Sequence, residues 1–171
     1  GVRRWLRRVY HTGYRQTLMA ATVMVNGRIS SERDAVIPVF DHGFLYGEGV
    51  YETMRTYNGR PFLYERHLRR LRRSSQLITL GVPFSDEALA SSIRETMRAA
   101  HLDGGEAYIR VLLTRGVGDL TYDLTATPSP SVVIIVKPHV DPPAEAYEKG
   151  VAVVIVGIVR NLPGSVDPTI K

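Results

Sequence analysis

Residues 41–75 limit the possible folds of this chain more than any other stretch. The stretch contains, in order, a glycine-rich loop, a run of strand character, an Asn-Gly pair, a second such run and an arginine-rich helix: Asp41–Gly49, Val50–Tyr57, Asn58-Gly59, Pro61–Leu63 and from Tyr64 onward. Asn-Gly between two strands predicts a tight hairpin, because both residues tolerate positive φ. A hairpin followed at once by a basic helix indicates a site for an anionic ligand.

The helix predicted from Tyr64 has two distinct sides. One side is apolar: Tyr64, Leu68, Leu71 and Ile78. Side chains at this spacing face a core. Three arginines point away from it: Arg66, Arg69 and Arg73. Arg70 borders the apolar side, so we expect it to be partly enclosed, and we expect His67 to be a packed, hydrogen-bonded residue rather than a catalyst.

The remaining segments predict an α/β (α+β) fold. A second helix should begin at Ser85, with Asp86 and Glu87 in its first turn, where they favour the helix dipole. Strands are predicted at Thr22–Asn26, Val36–Phe40, Ala107–Thr114, Ser131–Lys137 and Val151–Val159. We expect two layers, with both helices covering one face of an antiparallel or mixed sheet.

Changes in composition predict the domain boundaries. Residues 1–21 carry arginine but no acidic residue and are expected to be a basic extension without fixed structure. Residues 22–137 should form a small α/β domain, and the proline-containing residues 138–149 an interdomain linker. Residues 150–171 are predicted to start a large domain, whose first strand is apolar enough for burial on both faces.

Composition narrows the function classes. The 171-residue chain has no cysteine, which excludes disulfides and cysteine nucleophiles and fits a cytoplasmic location. Its histidines lack metal-site spacing, and no apolar run approaches the roughly 18 residues of a membrane span. The net charge of +5 leaves a basic nucleic-acid-binding module as a remote alternative. An arginine-rich surface without nucleic-acid partner is the favoured interpretation, because no recognition motif accompanies the charge.

Several motifs resemble one enzyme family. DHGFLYGEGVYE, YNGR and ERHLRRL are similar to the small domain of the class IV aminotransferases, the pyridoxal-phosphate (PLP) enzymes of fold type IV. The resemblance continues through AYIRVLLTRGVGDL to the final DPTIK. It implies a PLP cofactor, amino-acid and 2-oxo-acid substrates, and a homodimer. It also implies that this chain is an N-terminal fragment, comprising the small domain and the first strand of the large one.

The resemblance assigns roles to five residues. Lys171, in DPTIK, matches the catalytic lysine that the family links to PLP. Arg70, in HLRRL, matches the arginine that binds the PLP phosphate, for which a guanidinium is suited. Tyr46 and Tyr51 match residues on the substrate side. Arg110 matches an arginine that receives the distal carboxylate of glutamate in branched-chain members; the alternative is an edge-strand arginine that makes surface pairs.

The choice among family members stays open at this point. The chain is most similar to branched-chain amino-acid aminotransferases with glutamate and 2-oxoglutarate as one substrate pair. Tyr51 and Thr53, however, stand where those enzymes have phenylalanine and glycine. D-amino-acid aminotransferase and aminodeoxychorismate lyase are the alternatives. The fragment alone is expected to be inactive, because the acidic partner of the pyridine nitrogen would lie in the remainder.

Overall fold

The computed structural model describes residues 21–102, 104–159, 161–162, 164–165 and 167–171. Within these residues six strands form one sheet: β1 (Thr22–Val25), β2 (Arg28–Ser31), β3 (Gly49–Tyr57), β4 (Arg60–Pro61), β5 (Ala107–Thr114) and β6 (Ser131–Pro138). The strand order is β2-β1-β6-β5-β3-β4, and all neighbouring pairs are antiparallel. The α+β fold predicted from the sequence is confirmed.

Helices cover one face of this sheet. The helical segments are α1 (His42–Leu45), α2 (Tyr64–Leu77), α3 (Asp86–Ala99) and α4 (Ala144–Lys149). Helix α2 packs against β3, and α3 packs against β1 and β6. The core lies between the layers and includes Leu71, Ile93, Ile109 and Ile134, which are almost fully buried. This is the two-layer arrangement that the apolar side of each helix requires.

Among the described residues, neither of the two long helices covers the other sheet face, which we call the helix-free sheet face because α2 and α3 both lie on the opposite side. Side chains alternate between the two faces along a strand. In β5, Ile109 and Leu113 are therefore buried against the helices, while Arg110 and Leu112 are only half-buried on the opposite face. In β3 the buried positions include Glu52, which places a carboxylate in an otherwise apolar row. The sheet thus has one face closed by the helices and one face that is more accessible at positions of β3 and β5 such as Tyr51 and Arg110.

The predicted hairpin turn and the predicted start of the second helix are both present in the structure. Asn58 and Gly59 have φ of 50° and 70°, as the hairpin requires. Their amides donate to the Glu106 carboxylate, at 2.6 and 3.4 Å. Helix α3 begins after Ser85, whose side chain accepts from the amide of Ala88. These contacts fix both ends of the segment that carries α2.

Two strand predictions are wrong. Residues 36–40 form no strand; Pro38 lies in their middle and cannot donate a ladder hydrogen bond. Val151–Val159 also forms no strand, and its side chains lie in solvent, with Ile155 98 % exposed. Among the described residues, the sheet edges are β2 and β4, and neither is extended by this segment. An apolar run without a neighbouring strand has no ladder to join.

The predicted linker is partly helical, since α4 occupies its second half. The proposed basic extension lies outside the described residues except for Ala21, which exchanges hydrogen bonds with Glu32. The division into a small and a large domain stays a prediction. In the part of the chain that the structure describes, no helix is both long and apolar enough to cross a membrane.

Candidate functional site

Lys171 lies between strand β3 and helix α2. Its carbonyl accepts a hydrogen bond from the amide of Tyr51 in β3, at 2.9 Å. Its own amide donates to Ser74 Oγ in α2, at 3.1 Å. The backbone of this lysine is therefore held between a strand and a helix that lie far away in sequence. Its side chain is 31 % exposed and stays accessible to a ligand.

Glu52 lies beneath Lys171 and gathers three basic side chains. Arg70 donates to both carboxylate oxygens, through Nε and through a terminal nitrogen at 2.7 Å. His67 Nδ1 lies 2.8 Å from Oε2, and Lys171 Nζ lies 3.4 Å from the same oxygen. We call these four residues the Glu52 cluster. It joins β3, α2 and Lys171 in one charged contact.

The Glu52 carboxylate is ionised in this environment. The side chain is only 1 % exposed, and burial alone would raise its pKa. The hydrogen bonds from Arg70 and His67 and the positive charge of Lys171 outweigh burial and lower the pKa from 4.5 to about 2. A buried carboxylate with this many donors is a fixed negative charge at neutral pH. It stabilises the positive groups around it.

Arg70 is enclosed on one side only, as the helix pattern predicts. Its side chain is 48 % exposed, and Glu52 occupies Nε and one terminal nitrogen. The second terminal nitrogen has no hydrogen-bond partner within the described residues. Arg66, Arg69 and Arg73 are exposed. Arg70 is thus oriented by an anion behind it, while one edge of its guanidinium remains available.

An open cleft of about 550 Å³ lies over the Glu52 cluster. It is lined by Gly49, Tyr51, Arg70 and residues 168–171. Both an amine and a guanidinium therefore border one cavity, next to an aromatic ring. This is a donor set for a ligand that carries a carbonyl group and an anionic group.

Tyr51 connects the cleft to the helix-free sheet face. Its ring centroid lies 5.5 Å from Lys171 Nζ and 4.9 Å from the Arg110 guanidinium carbon. Arg110 lies in β5, which is an interior strand with β6 on one side and β3 on the other. The alternative that Arg110 belongs to an edge strand is therefore wrong. Tyr51, Arg70 and Lys171 line one cleft, and Arg110 lies against the Tyr51 ring. The roles predicted for these four residues stay predictions.

Tyr46 does not line this cleft. It follows α1, and its ring contacts those of His42 and Tyr122, at centroid distances of 4.8 and 5.1 Å. His42 is buried, with Nε2 2.8 Å from the Asp119 carbonyl and Nδ1 3.3 Å from Glu48. Tyr46 is therefore part of a packed contact between the loops 41–49 and 115–122. Its predicted substrate role stays a prediction.

The glycines of the 41–49 loop serve close packing of the chain itself. A Cβ on Gly43 would lie 2.5 Å from Thr114 Cγ2, and one on Gly49 would lie 2.9 Å from the Leu113 carbonyl oxygen. Gly49 also lines the cleft. The loop thus approaches β5 closely, which sets where β3 begins and where Tyr51 lies.

A larger cleft, of about 630 Å³, lies on another part of the surface. It is lined by residues of β1, α3, β6 and the 128–130 loop, and its lining includes neither an acidic nor a basic side chain. The larger cleft therefore offers a ligand no charged side chain, unlike the cleft at Lys171.

Comparisons with known proteins identify the family of this chain. The family described as amino-transferase class IV matches residues 49–171, which run from the start of β3 to Lys171. The chain belongs to the class IV aminotransferases. The match covers the cleft residues Tyr51, Arg70 and Lys171 and also Arg110, but begins after Tyr46.

Curated class IV relatives carry different functions. A protein of Methanocaldococcus jannaschii named putative branched-chain-amino-acid aminotransferase is 38 % identical over 150 residues, covering 87 % of this chain and 50 % of that protein. The Bacillus subtilis aminodeoxychorismate lyase is 34 % identical over 67 % of this chain and 39 % of its own length. A Listeria innocua D-alanine aminotransferase is 39 % identical over 56 % and 32 %. The chain spans half or less of these relatives.

Solved structures of the family share the fold. The branched-chain aminotransferase of Thermoproteus uzoniensis, solved with norvaline, has a TM-score of 0.62 and 32 % identity, covering 70 % of this chain and 41 % of that one. The Escherichia coli branched-chain aminotransferase has a TM-score of 0.65 and 30 % identity, covering 74 % and 43 %. The region described here therefore corresponds to part of a class IV aminotransferase.

Class IV aminotransferases depend on PLP, and the donor set at the cleft fits that cofactor. PLP offers an aldehyde, which an amine such as Lys171 can take, and a phosphate, which the free edge of the Arg70 guanidinium can bind. The two groups border one cavity. The structure therefore contains partners for both functional ends of PLP.

Sequence analysis missed two residues of this class IV site. Neither Glu52 nor Ser74 was assigned a role from the sequence, although Glu52 is part of the motif DHGFLYGEGVYE. Glu52 stands between the inward-facing Val50 and Met54 of β3, and a charged residue at a core position must find partners. This charged residue in an otherwise apolar row was the sequence feature that could have indicated the role of Glu52. Ser74, at 2 % exposure, gave no such indication, because serine is common in helices of either face.

Proposed function

We propose that the full-length protein transfers the amino group of a branched-chain L-amino acid to 2-oxoglutarate. The observation that carries this proposal is that Lys171 and Arg70 line one cleft with Tyr51, while Arg110 lies against the same Tyr51 ring. An amine, a phosphate-binding guanidinium and a second guanidinium then serve one small-molecule site. The Methanocaldococcus jannaschii and Thermoproteus uzoniensis relatives support the branched-chain assignment.

Each side chain has a separate task in this proposal. Lys171 Nζ holds the cofactor and later carries a proton from the substrate Cα. Arg70 holds the phosphate while Glu52 fixes its orientation. Arg110 receives the distal carboxylate of glutamate or 2-oxoglutarate. Bound PLP supplies the electron sink that makes the Cα proton acidic.

A second function is supported by two positions of β3. Tyr51 and Thr53 differ from the residues expected of branched-chain enzymes, and relatives include a D-alanine aminotransferase and an aminodeoxychorismate lyase. D-amino-acid transamination and pyruvate elimination are therefore the alternatives. A panel of L- and D-amino acids against 2-oxoglutarate and pyruvate, with aminodeoxychorismate as a further substrate, separates the three. Turnover of branched-chain L-amino acids below that of D-alanine would overturn the first assignment.

The cofactor link has a direct test. The PLP-loaded full-length protein is reduced with borohydride, digested and mapped by mass spectrometry. We expect the pyridoxyl group on Lys171, since Lys171 Nζ borders the cleft beside Arg70. A label on a different lysine would refute this assignment.

We further propose a cytoplasmic homodimer, as the family resemblance implies. The absence of cysteine fits a reducing compartment. Sedimentation of the full-length protein tests the dimer, and a monomer that turns over substrate at full rate would contradict it.

A further inference from the structure

Arg110 occupies a central place on the helix-free sheet face. It lies in interior strand β5, directly opposite Thr53 of β3 and Ile135 of β6. Side chains directly opposite each other in an antiparallel pair lie on the same face. Of these two cross-strand neighbours, only Thr53 has a polar side chain. Of the two directly opposite neighbours, Thr53 is therefore the one that can form a side-chain hydrogen bond with Arg110.

Two contacts restrain the Arg110 guanidinium. Nε lies 3.4 Å from Thr53 Oγ1, near the upper limit of a hydrogen bond, and the guanidinium carbon lies 4.9 Å from the Tyr51 ring centroid. Thr53 holds the Nε edge, and Tyr51 holds the planar face. The terminal nitrogens of Arg110 have no ion-pair or hydrogen-bond partner in the described part of the chain. The end of the guanidinium that carries them remains available.

A guanidinium held at Nε offers its two terminal nitrogens as a fork, and this fork fits the two oxygens of a carboxylate. Lys171 Nζ lies near the same Tyr51 ring. A substrate whose reacting end is at Lys171 would reach Arg110 if it extends past Tyr51. A second carboxylate at the far end of such a substrate would bind the two terminal nitrogens of Arg110, whereas an apolar end would not gain this contact.

We propose that Thr53 is a positioning residue that orients Arg110 and thereby sets the preference of the site for dicarboxylate over monocarboxylate ligands. The inference rests on the proposed function, because it assumes that substrate binds over Tyr51. It goes beyond that function because it assigns substrate specificity to Thr53, which contacts Arg110 and does not contact the reacting atoms.

The decisive variant is Thr53→Val. Valine has the shape of threonine and suits a strand, so the fold should persist, but it offers no acceptor to Arg110 Nε. Thr53→Ser retains the hydroxyl and serves as the rescue variant. Thr22→Val makes the same chemical change in β1, on another part of the sheet, and is the matched control.

Equilibrium binding to the PLP-loaded full-length protein provides the main measurement. Glutarate and pentanoate are five-carbon ligands with two and one carboxylates, and neither has an amino or oxo group to react. We expect the wild type to prefer glutarate. Thr53→Val should reduce that preference by about threefold to tenfold, as for the loss of one weak hydrogen bond, because the contact from the charged guanidinium is long. Thr53→Ser and Thr22→Val should keep it within twofold.

Kinetics give an independent readout. In Thr53→Val the KM for 2-oxoglutarate should rise, while kcat and the KM for the branched-chain amino acid should stay at wild-type values. A glutarate preference unchanged in Thr53→Val, or an equal loss of both ligands, would overturn the role of Thr53 and leave the proposed function intact. A wild type without any preference for glutarate would overturn both the 2-oxoglutarate assignment and this inference.

Discussion

Replacing Glu52 with glutamine tests whether the cleft depends on a buried negative charge. The amide has the size of the carboxylate but no charge, and it offers one acceptor oxygen where the carboxylate offers two. Arg70, His67 and Lys171 then converge on a neutral group. We expect the variant to be less stable at neutral pH and to hold Arg70 less firmly.

The magnitude follows from the pKa of Glu52. A pKa lowered from 4.5 to about 2 corresponds to about 3 kcal/mol of stabilisation at neutral pH. Arg70 is 48 % exposed, so solvent screens part of this interaction, and we expect Glu52→Gln to cost about 1–2 kcal/mol at pH 7. Because the folded-state pKa is depressed, the stabilisation is fully present above pH 4.5 and is lost as the pH falls towards 2.

Urea unfolding of the full-length protein at pH 7, 5, 4 and 3 provides the assay. The difference in free energy of unfolding between wild type and Glu52→Gln should stay constant down to pH 5 and then decrease to less than half by pH 3. Glu148→Gln removes an exposed carboxylate in α4 and serves as the control, with a change below about 0.5 kcal/mol. The reasoning would be refuted if the difference in free energy of unfolding between wild type and Glu52→Gln did not change between pH 7 and 3, or if it were absent at pH 7.

Two further substitution pairs test other parts of the structure. Arg70→Ala should weaken PLP retention by about 1.5–3 kcal/mol, measured by fluorescence titration, while Arg69→Ala should not; equal losses would show that general positive charge is responsible. Gly116→Ala should lower Tm much more than Gly27→Ala, although both glycines have positive φ. The reason is that a Cβ on Gly116 would lie 1.9 Å from the Ser129 carbonyl oxygen, whereas a Cβ on Gly27 would have no atom within 4 Å. Similar Tm values for the two variants would contradict the close approach at Gly116.

Local sequence signals predicted the parts of the fold that depend on neighbours in the chain. Asn58-Gly59 specified the hairpin because its positive φ values are a property of those two residues. The cap at Ser85 and the apolar side of α2 follow from spacing within one helix. The partial enclosure of Arg70 followed in the same way, since its angle from the apolar side decides how far it reaches into solvent.

The Glu52 cluster could not be predicted by the same reasoning. Its members lie on β3, α2 and the last residue described, and only the packing of α2 across β3 brings them together. The strand predicted at Val36–Phe40 was wrong for a related reason. Its composition favours a strand, but a strand also needs a partner with free ladder groups, and Pro38 removes one of its own. Long-range partners, rather than local propensity, decided both cases.

The segment Val151–Val159 permits a prediction in which one substitution has opposite effects in two contexts. In the 171-residue chain its apolar side chains are exposed, and such a segment favours self-association. Ile155→Glu places a charge at a 98 % exposed position, so the isolated chain should become more soluble with unchanged Tm. Sedimentation velocity and thermal unfolding of both chains measure this.

In the full-length protein the same substitution should be harmful. If the segment is the first strand of a second domain and is buried on both faces, a glutamate at position 155 is a buried charge without a partner. Such changes cost several kcal/mol and commonly prevent folding. Lys149→Glu, at the end of α4 just before the segment, changes charge without replacing an apolar side chain and should be tolerated in both contexts. A full-length Ile155→Glu protein with wild-type Tm would show that this segment stays exposed and that the second domain begins elsewhere.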